Sequence, residues 1–185
     1  MIAGRTSEGR QPASGMSEQL MEQLKAYTNV DGPEVNAPDE VSKATIRHWC
    51  EAMQDGNPLY TDEGYARTSK YGSIVAPPTM LMAWSFPPLW PPIESHEGPL
   101  DNVLVLLDAA GFNQVIITGT SQRYLKPLFP GDRVSFNYRV ENVSPERQTA
   151  LGNGHFVTAV FVYRNQKGEE VGNQTLTILK YRTAA

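Results

Sequence analysis

The residue types in this sequence that are best suited to chemistry lie in one polar turn, which reads Asp55-Gly56-Asn57-Pro58-Leu59-Tyr60-Thr61-Asp62. The Asp55 carboxylate can hold or accept a proton, whereas the Tyr60 phenol, with an ordinary pKa of about 10, is a poor general base at neutral pH. Asn57 and Asp62 are expected to fix the turn through hydrogen bonds to the backbone. The turn therefore offers an acidic group but no evident base.

A short apolar helix is predicted to follow this turn and to face it. Pro77 and Pro78 suit a helix entry, and Pro87 and Pro88 end the helix. The segment between them is apolar on almost every side, which is typical of a buried helix; its members are Met80, Leu81, Met82, Ala83, Trp84 and Phe86. Free N–H groups from Ala76 to Met80 are expected to point at the turn, where a helix N-terminus favours a negative charge or a polarised carbonyl.

Composition narrows the class of protein to which the chain can belong. Its 185 residues suffice for one domain with a core, and 40 % hydrophobic with 19 % charged residues is an ordinary globular balance. A net charge of −4 gives no support for nucleic acid or an anionic membrane as a partner. A single cysteine, Cys50, excludes an internal disulfide, and no run of 18 apolar residues occurs. We expect a cytoplasmic protein.

Helical signals occupy the N-terminal half. Residues 1–15 are predicted to be a disordered leader or tail, and 16–185 a single domain. Ser17 and Ser42 are predicted to cap helices. Helices are predicted at 18–27, 43–53, 60–69 and 101–110, the last ending at Gly111. Loops are predicted at 29–39 and at 87–99, where Trp90 is expected to pack over a large apolar surface.

From Phe112 onward the apolar pattern changes to a period of two, which is typical of strands. Four strands are predicted, at 114–126, 132–142, 154–165 and 169–181. The short turns between them favour an antiparallel sheet. The predicted fold class is α+β, a curved antiparallel sheet wrapped around a short central helix, which is the hot-dog fold.

The polar turn resembles the motif of a known family. Its pattern Asp55-x-Asn57-Pro58-x-Tyr60-x-Asp62 is similar to the Asp-x-Asn-Pro-x-His-x-Asp motif of MaoC-like, (R)-specific enoyl-CoA hydratases. The resemblance implies that the Asp and the His hold the water that adds to a 2,3-enoyl thioester, while N–H groups at the central helix polarise its carbonyl. Because Tyr60 stands at the His position, we expect no catalytic residue in this chain.

Four further segments look like the MaoC-like domain of the large subunit of actinobacterial steroid side-chain enoyl-CoA hydratases: 76–80, 106–111, 149–156 and 178–182. Those enzymes pair two different hot-dog chains, of which one carries the Asp and the His and the other makes room for the steroid rings. An OB-fold domain that binds acyl-CoA often follows in such large subunits. The resemblance implies an acyl-CoA thioester substrate, a second hot-dog subunit with Asp and His in a heterodimer or heterotetramer, and no cofactor.

The residues predicted to bind substrate follow from the turn, the central helix and the loop after it. They are Asp55, Asn57, Tyr60, Ala76, Pro77, Thr79, Met80, Trp84 and Trp90. Because prolines shorten the central helix, we expect a cavity for a bulky acyl group, lined by Met80, Trp84, Phe86 and Trp90. Four basic residues are candidates for contact with CoA phosphates, with none singled out: Arg123, Lys126, Arg133 and Arg147.

Three functions stay open at this point. The chain is a substrate-shaping subunit of a heteromeric hydratase, a self-sufficient hydratase that uses Asp55 and Tyr60, or an acyl-CoA-binding or structural protein without enzyme activity. Its three histidines, His48, His96 and His155, lie far apart in the sequence, so no metal site is predicted. Unpaired sheet edges predict a dimer in every case.

Overall fold

The period-two segments assemble into one antiparallel sheet in the computed structural model of the chain, which describes residues 13–91 and 98–183. The strands are β1 (Val35–Asn36), β2 (Gln114–Tyr124), β3 (Val134–Val143), β4 (Arg147–Thr149), β5 (Gly152–Asn165) and β6 (Glu170–Arg182). Their order is β1-β3-β5-β6-β2, and β4 pairs with β5. The four predicted strands are confirmed as β2, β3, β5 and β6, with ends that shift by two residues or fewer.

Two short strands lie outside the predicted ones. In β1, Val35 pairs with Phe136 and Asn36 with Ser135, inside the segment that was predicted to be a loop. The three residues of β4 pair with the first residues of β5. Strands of two and three residues are too short to show a period, so only their long-range pairing defines them.

The helices are α1 (Ala13–Lys25), α2 (Lys43–Met53), α3 (Pro58–Thr61), α4 (Glu63–Thr68) and α5 (Pro99–Ala109). The bounds predicted for α2 are confirmed, and the Ser42 side chain accepts a hydrogen bond from Thr45 N at 3.1 Å. In contrast, α1 begins at Ala13, ahead of the predicted cap Ser17. The predicted helix 60–69 is two helices, because Asp62 ends α3 and caps α4.

The central helix is of a different type from the one predicted. Pro78–Ser85 forms a 3-10 helix, called here the central 3-10 helix, instead of an α-helix. Eight residues in this form span about 16 Å, against about 12 Å for an α-helix, so the segment between the prolines extends further over the sheet. It is buried on one side only, through Met80, Leu81 and Trp84, while Thr79 is exposed. The prediction of burial on every side was therefore wrong.

Helix α5 covers a second part of the sheet, where it packs against β3. Its buried residues include Leu100, Val103 and Leu107. At its N-terminus, Tyr138 Oη donates a hydrogen bond to the Asp101 carboxylate at 2.6 Å and lies against Gly98. Together, α5 and the central 3-10 helix supply the apolar layer that the sheet was predicted to wrap. Within the ranges 13–91 and 98–183, no helix has the length and apolar character needed to cross a membrane.

Candidate functional site

The polar turn is held by its own side chains. Asp55 Oδ1 accepts a hydrogen bond from Asn57 N at 3.1 Å, and Asn57 Oδ1 accepts one from Leu59 N at 3.1 Å. Asp62 Oδ1 accepts from Tyr65 N at 3.0 Å. The prediction that Asn57 and Asp62 fix the turn is confirmed. Asp55 also fixes it, by accepting the hydrogen bond from Asn57 N. Side-chain oxygens that cap backbone N–H groups in this way stabilise the short helices α3 and α4.

Tyr60 lies in α3 and packs against the core. Burial raises the pKa of its phenol, and the negative charge of Asp55 raises this pKa further. A hydrogen bond with Asn57 acts in the opposite direction without reversing the shift. A phenol with a raised pKa stays protonated at neutral pH, so Tyr60 cannot act there as the general base that the motif's His provides in the resembled family.

Tyr60 contributes to an open groove of about 200 Å³, called here the Tyr60 groove. Three of the nine predicted substrate-binding residues line it, namely Tyr60, Ala76 and Pro77. They come from α3 and from the segment that enters the central 3-10 helix. The structure thus brings the motif tyrosine and the start of the central helix to one site, as the sequence predicted.

The other predicted residues do not line the Tyr60 groove. Met80 and Trp84 are buried in the core. Trp90 is 85 % exposed, so its predicted packing over a large apolar surface is wrong. Leu89, Trp90 and Pro91 form a turn, and the surrounding prolines keep this segment from continuing as a helix. The structure therefore does not assemble Met80, Trp84, Phe86 and Trp90 into the single acyl cavity that we expected.

Several residues that sequence reasoning did not select line the groove, among them Tyr71 and Tyr124. Lys126 is the one basic candidate for CoA phosphates that reaches the groove among the described residues. Its ammonium group bonds Glu169 Oε1 at 2.6 Å. Lys126 was a candidate through its charge alone, as one of four basic residues, and Tyr71 and Tyr124 carried no signal that would have selected them.

The N–H groups at the start of the central 3-10 helix are mostly engaged or missing. Ala76 N donates to the Leu128 carbonyl at 2.8 Å, and Met80 N to the Pro77 carbonyl at 2.9 Å. Pro77 and Pro78 have no N–H group. Among the described residues, this leaves the Thr79 amide. The expected row of free N–H groups from Ala76 to Met80 is therefore wrong, and at most one amide in it can meet a carbonyl oxygen of a ligand.

No histidine of the described ranges lines the Tyr60 groove. His48 is exposed on α2, where its ring lies 3.3 Å from Glu51 Oε2. His155 is buried at the start of β5. His96 lies outside the described residues. Within those residues, no three His, Cys, Asp or Glu side chains form a group that could hold a metal ion.

A known protein family matches most of the chain. The family described as FAS1-like, dehydratase domain region matches residues 19–174. The matched range includes the polar turn, the central 3-10 helix and the strands up to the middle of β6.

Two curated relatives are alpha subunits. The chain is 38% identical over 146 residues to the probable enoyl-CoA hydratase alpha subunit of Thermomonospora curvata, covering 78% of this chain and 46% of the relative. It is 36% identical over 149 residues to the 3-oxo-4,17-pregnadiene-20-carboxyl-CoA hydratase alpha subunit of Mycobacterium tuberculosis, covering 80% and 47%. The chain thus spans about half the length of these curated relatives.

A solved structure is similar over nearly the whole chain. In the crystal structure of the ChsH1-ChsH2 complex from Mycobacterium tuberculosis, one chain aligns with a TM-score of 0.82 and 32% identity. The alignment covers 92% of this chain and 98% of that chain. The shared architecture is the hot-dog fold, so the predicted fold class is confirmed.

Proposed function

Because the chain belongs to the FAS1-like dehydratase domain family, we propose that it is the substrate-shaping subunit of a heteromeric 2-enoyl-CoA hydratase and does not itself supply the base. The observation that carries this proposal is the raised pKa of the Tyr60 phenol. This phenol occupies the motif position of the histidine, and burial and the Asp55 charge both raise its pKa. No histidine within the described ranges lines the groove in which Tyr60 lies.

The size of the Tyr60 groove supports a site that is completed by a partner. Sites for drug-sized ligands and cofactors commonly enclose about 300–1,000 Å³. The groove measures about 200 Å³ and is open, which is too little to enclose a bulky acyl-CoA. A second subunit that packs over the groove would close it and could supply the Asp and the His.

The free edge of the sheet supports the same arrangement. Strand β2 pairs with β6 on one side, and on the other side the described residues provide no strand. Val115 and Ile117 are 60 % and 59 % exposed, and Ile116, on the opposite face of the strand, is exposed as well. A long exposed edge strand whose first residues are apolar on both faces is a ready template for pairing with another chain. We assign this edge to the second hot-dog subunit.

The substrate class follows from the relatives. Both curated relatives are named as hydratase alpha subunits, and the name of the Mycobacterium tuberculosis protein specifies a pregnadiene carboxyl-CoA. By analogy, we assign the steroid side-chain enoyl-CoA class to this chain. We also place the protein in the cytoplasm, which is consistent with its buried and unpaired Cys50.

The test is a hydration assay that follows the loss of the conjugated thioester absorbance. The chain is assayed alone and with a hot-dog chain that carries Asp-x-Asn-Pro-x-His, using 2-butenoyl-CoA and a steroid side-chain enoyl-CoA. We expect no turnover by the chain alone and turnover by the pair, with a preference for the steroid thioester. Tyr60→Phe in the pair should leave kcat within about twofold, because the phenol transfers no proton.

The alternatives give different results in the same assay. Turnover by the chain alone that is lost in Tyr60→Phe would identify a self-sufficient hydratase and overturn the proposal. Tight binding of the thioester without turnover by any pair would identify an acyl-CoA-binding protein instead. The exposed Tyr65→Phe variant is the matched control, because Tyr65 does not line the Tyr60 groove.

A further inference from the structure

The central 3-10 helix is long for its type. It spans the eight residues Pro78–Ser85, whereas 3-10 runs longer than about three or four residues are uncommon, because their hydrogen bonds have poorer geometry than those of an α-helix. Half of its residues are Met, Leu or Ala, which favour an α-helix. The 3-10 form therefore depends on contacts with the rest of the chain.

Gln174 on β6 provides such a contact. Its side chain is buried, and its Nε2 donates to Met82 Sδ at 3.2 Å and to Thr120 Oγ1 at 3.0 Å. Because a thioether sulfur has no hydrogen to donate, this contact orients Nε2 toward the helix and leaves Oε1 as an acceptor. One carboxamide thus joins the central 3-10 helix to β6 and, through Thr120, to β2.

Tyr163 on β5 extends this network. The residue is fully buried, and its hydroxyl donates to Gln174 Oε1 at 3.2 Å and lies 3.3 Å from Ser85 Oγ. Ser85 Oγ in turn donates to the Met82 carbonyl at 2.7 Å, within the last turn of the helix. Among the described residues, Gln174 and Tyr163 are the sheet side chains that hydrogen-bond this helix. A paired buried network favours one arrangement, because a shift of the helix would leave polar atoms unpaired.

The position of the central 3-10 helix also sets one wall of the Tyr60 groove. Pro78 and Leu81 line this groove. Leu81 approaches β6 closely, since a Cβ atom at Gly172 would lie 2.8 Å from Leu81 Cδ2. Gly172 and Gln174 are two positions apart on one strand and therefore face the helix together. A change to the α-form would shorten the segment by about 4 Å and move Leu81 with it, which would alter the width of the groove.

We infer that Gln174 is a positioning residue that determines specificity for the acyl group. Together with Tyr163, it keeps the central helix in its 3-10 form, and this form holds Leu81 where a bulky acyl group fits beside it. The inference rests on the proposed function, in which the Tyr60 groove is part of the substrate site. Neither Gln174 nor Tyr163 lines the groove, so both act through the helix.

Gln174→Met tests in the chain alone whether this residue fixes the helix. Methionine is of similar length and has no donor, so it removes both hydrogen bonds of Nε2. We expect the amides of residues 80–85 to exchange hydrogen at least about tenfold faster, measured by nuclear magnetic resonance, because the helix is no longer fixed. Asn173→Leu is the matched control, since Asn173 lies on the opposite face of β6 and its loss should not change this exchange.

The same variant is then assayed in the pair with a hot-dog chain that carries Asp-x-Asn-Pro-x-His. We expect KM for a steroid side-chain enoyl-CoA to rise about tenfold at unchanged kcat, because the groove no longer matches the bulky group. KM for 2-butenoyl-CoA should stay within about twofold, since a short acyl group needs less room. Such a split between substrates would not arise from a general loss of stability.

Tyr163→Phe/Gln174→Met separates positioning from stability. Tyr163→Phe alone leaves the Gln174 acceptor without its Tyr163 donor and should lower the urea midpoint, whereas the double variant removes both partners and should recover most of this loss. We expect KM for the steroid thioester to stay about tenfold high in the double variant.

Three results would overturn the inference: recovery of this KM together with the midpoint, an equal rise of KM for both thioesters, or unchanged amide exchange in Gln174→Met. A pair that turns over no thioester would instead overturn the proposed function. The exchange experiment on the chain alone separates that failure from a failure of the present inference.

Discussion

A tyrosine in the place of a motif histidine changes what the polar turn can contribute. The turn keeps its geometry, because Asp55, Asn57 and Asp62 cap backbone N–H groups whether or not a base follows. Burial and the Asp55 charge, however, both favour the neutral form of Tyr60. At the scale of the residue, the turn is thus a capping structure in which the Tyr60 phenol stays protonated at neutral pH.

The coupling between Asp55 and Tyr60 can be measured directly. Asp55→Asn should lower the pKa of Tyr60 toward its ordinary value, because it removes the charge that adds to the effect of burial. The amide oxygen can still accept from Asn57 N, so the turn should persist. The measurement is tyrosinate absorbance against pH, taken as the difference between Asp55→Asn and Asp55→Asn/Tyr60→Phe. Asp62→Asn is the control, and an unchanged Tyr60 titration in Asp55→Asn would refute the coupling.

Glu146 gives a pH-dependent prediction at the same scale. Burial alone would raise its pKa, but hydrogen bonds from Arg182 and Asn153 outweigh this and lower it. A carboxyl group with a lowered pKa in the folded state stabilises the protein above its unfolded pKa of about 4.3, and this stability is lost as the pH falls through the lower folded value. Between pH 6 and pH 3, the unaltered chain should therefore lose about 0.5–1 kcal/mol more stability than Glu146→Gln.

Urea unfolding at the two pH values measures this difference. Glu22→Gln on α1 serves as the control, because Glu22 is an exposed carboxylate whose nearest ion pair, with Lys25, is 3.7 Å long. Equal loss of stability in Glu146→Gln and in the unaltered chain would show that the ion pair with Arg182 does not stabilise the fold.

At the scale of the element, the start of α5 depends on the close contact between Gly98 and the Tyr138 side chain. A Cβ atom at Gly98 would lie 2.1 Å from Tyr138 Oη, the hydroxyl that donates to Asp101 in the first turn of α5. Gly98→Ala must therefore displace the tyrosine ring or the helix, and we expect it to lower the free energy of unfolding by about 1–3 kcal/mol. Chemical denaturation measures the change.

Gly56→Ala is the matched control for this substitution. A Cβ atom at Gly56 would meet nothing within 4 Å, so the free energy of unfolding should change by no more than about 0.5 kcal/mol. In Tyr138→Phe/Gly98→Ala the missing hydroxyl should recover part of the loss. If Gly98→Ala were as stable as the control, the Tyr138 contact would not hold α5 in place.

At the scale of the whole molecule, the proposed assembly with a partner chain depends on the exposed strand β2. Ile117→Lys places a charge on the apolar edge and should disrupt pairing with a partner chain, because edge lysines oppose strand addition. We expect the dissociation constant of the heteromer to rise at least about tenfold, measured by analytical ultracentrifugation. Stability of the separate chain should be nearly unchanged, since Ile117 is already exposed.

Val30→Lys is the control for this prediction. Val30 is also an exposed apolar residue, but it lies near Arg139 and β1, at the opposite edge of the sheet. Val30→Lys should leave the association with the partner chain intact. Disruption by Val30→Lys but not by Ile117→Lys would assign the partner to the β1 edge instead.

The sequence by itself determined the features that depend on local forces. The bounds of α2 follow from its Ser42 cap and its apolar stripe, and the four long strands follow from their period of two. The capping roles of Asn57 and Asp62 are fixed by residue types that bond their own backbone. Tyr60, Ala76 and Pro77, which the sequence analysis named as substrate-binding residues, line one groove, and their binding of substrate stays a prediction.

Tertiary structure decided the features that arise between segments distant in sequence. Strands β1 and β4 exist only through pairing with β3 and β5. The Ala76 amide is taken by Leu128, far along the chain, so a local count of free N–H groups failed. The exposure of Trp90 and the burial of His155 likewise depend on which segments pack nearby. Local hydrogen bonding and periodicity cannot encode such contacts, because they are set by packing of the whole chain.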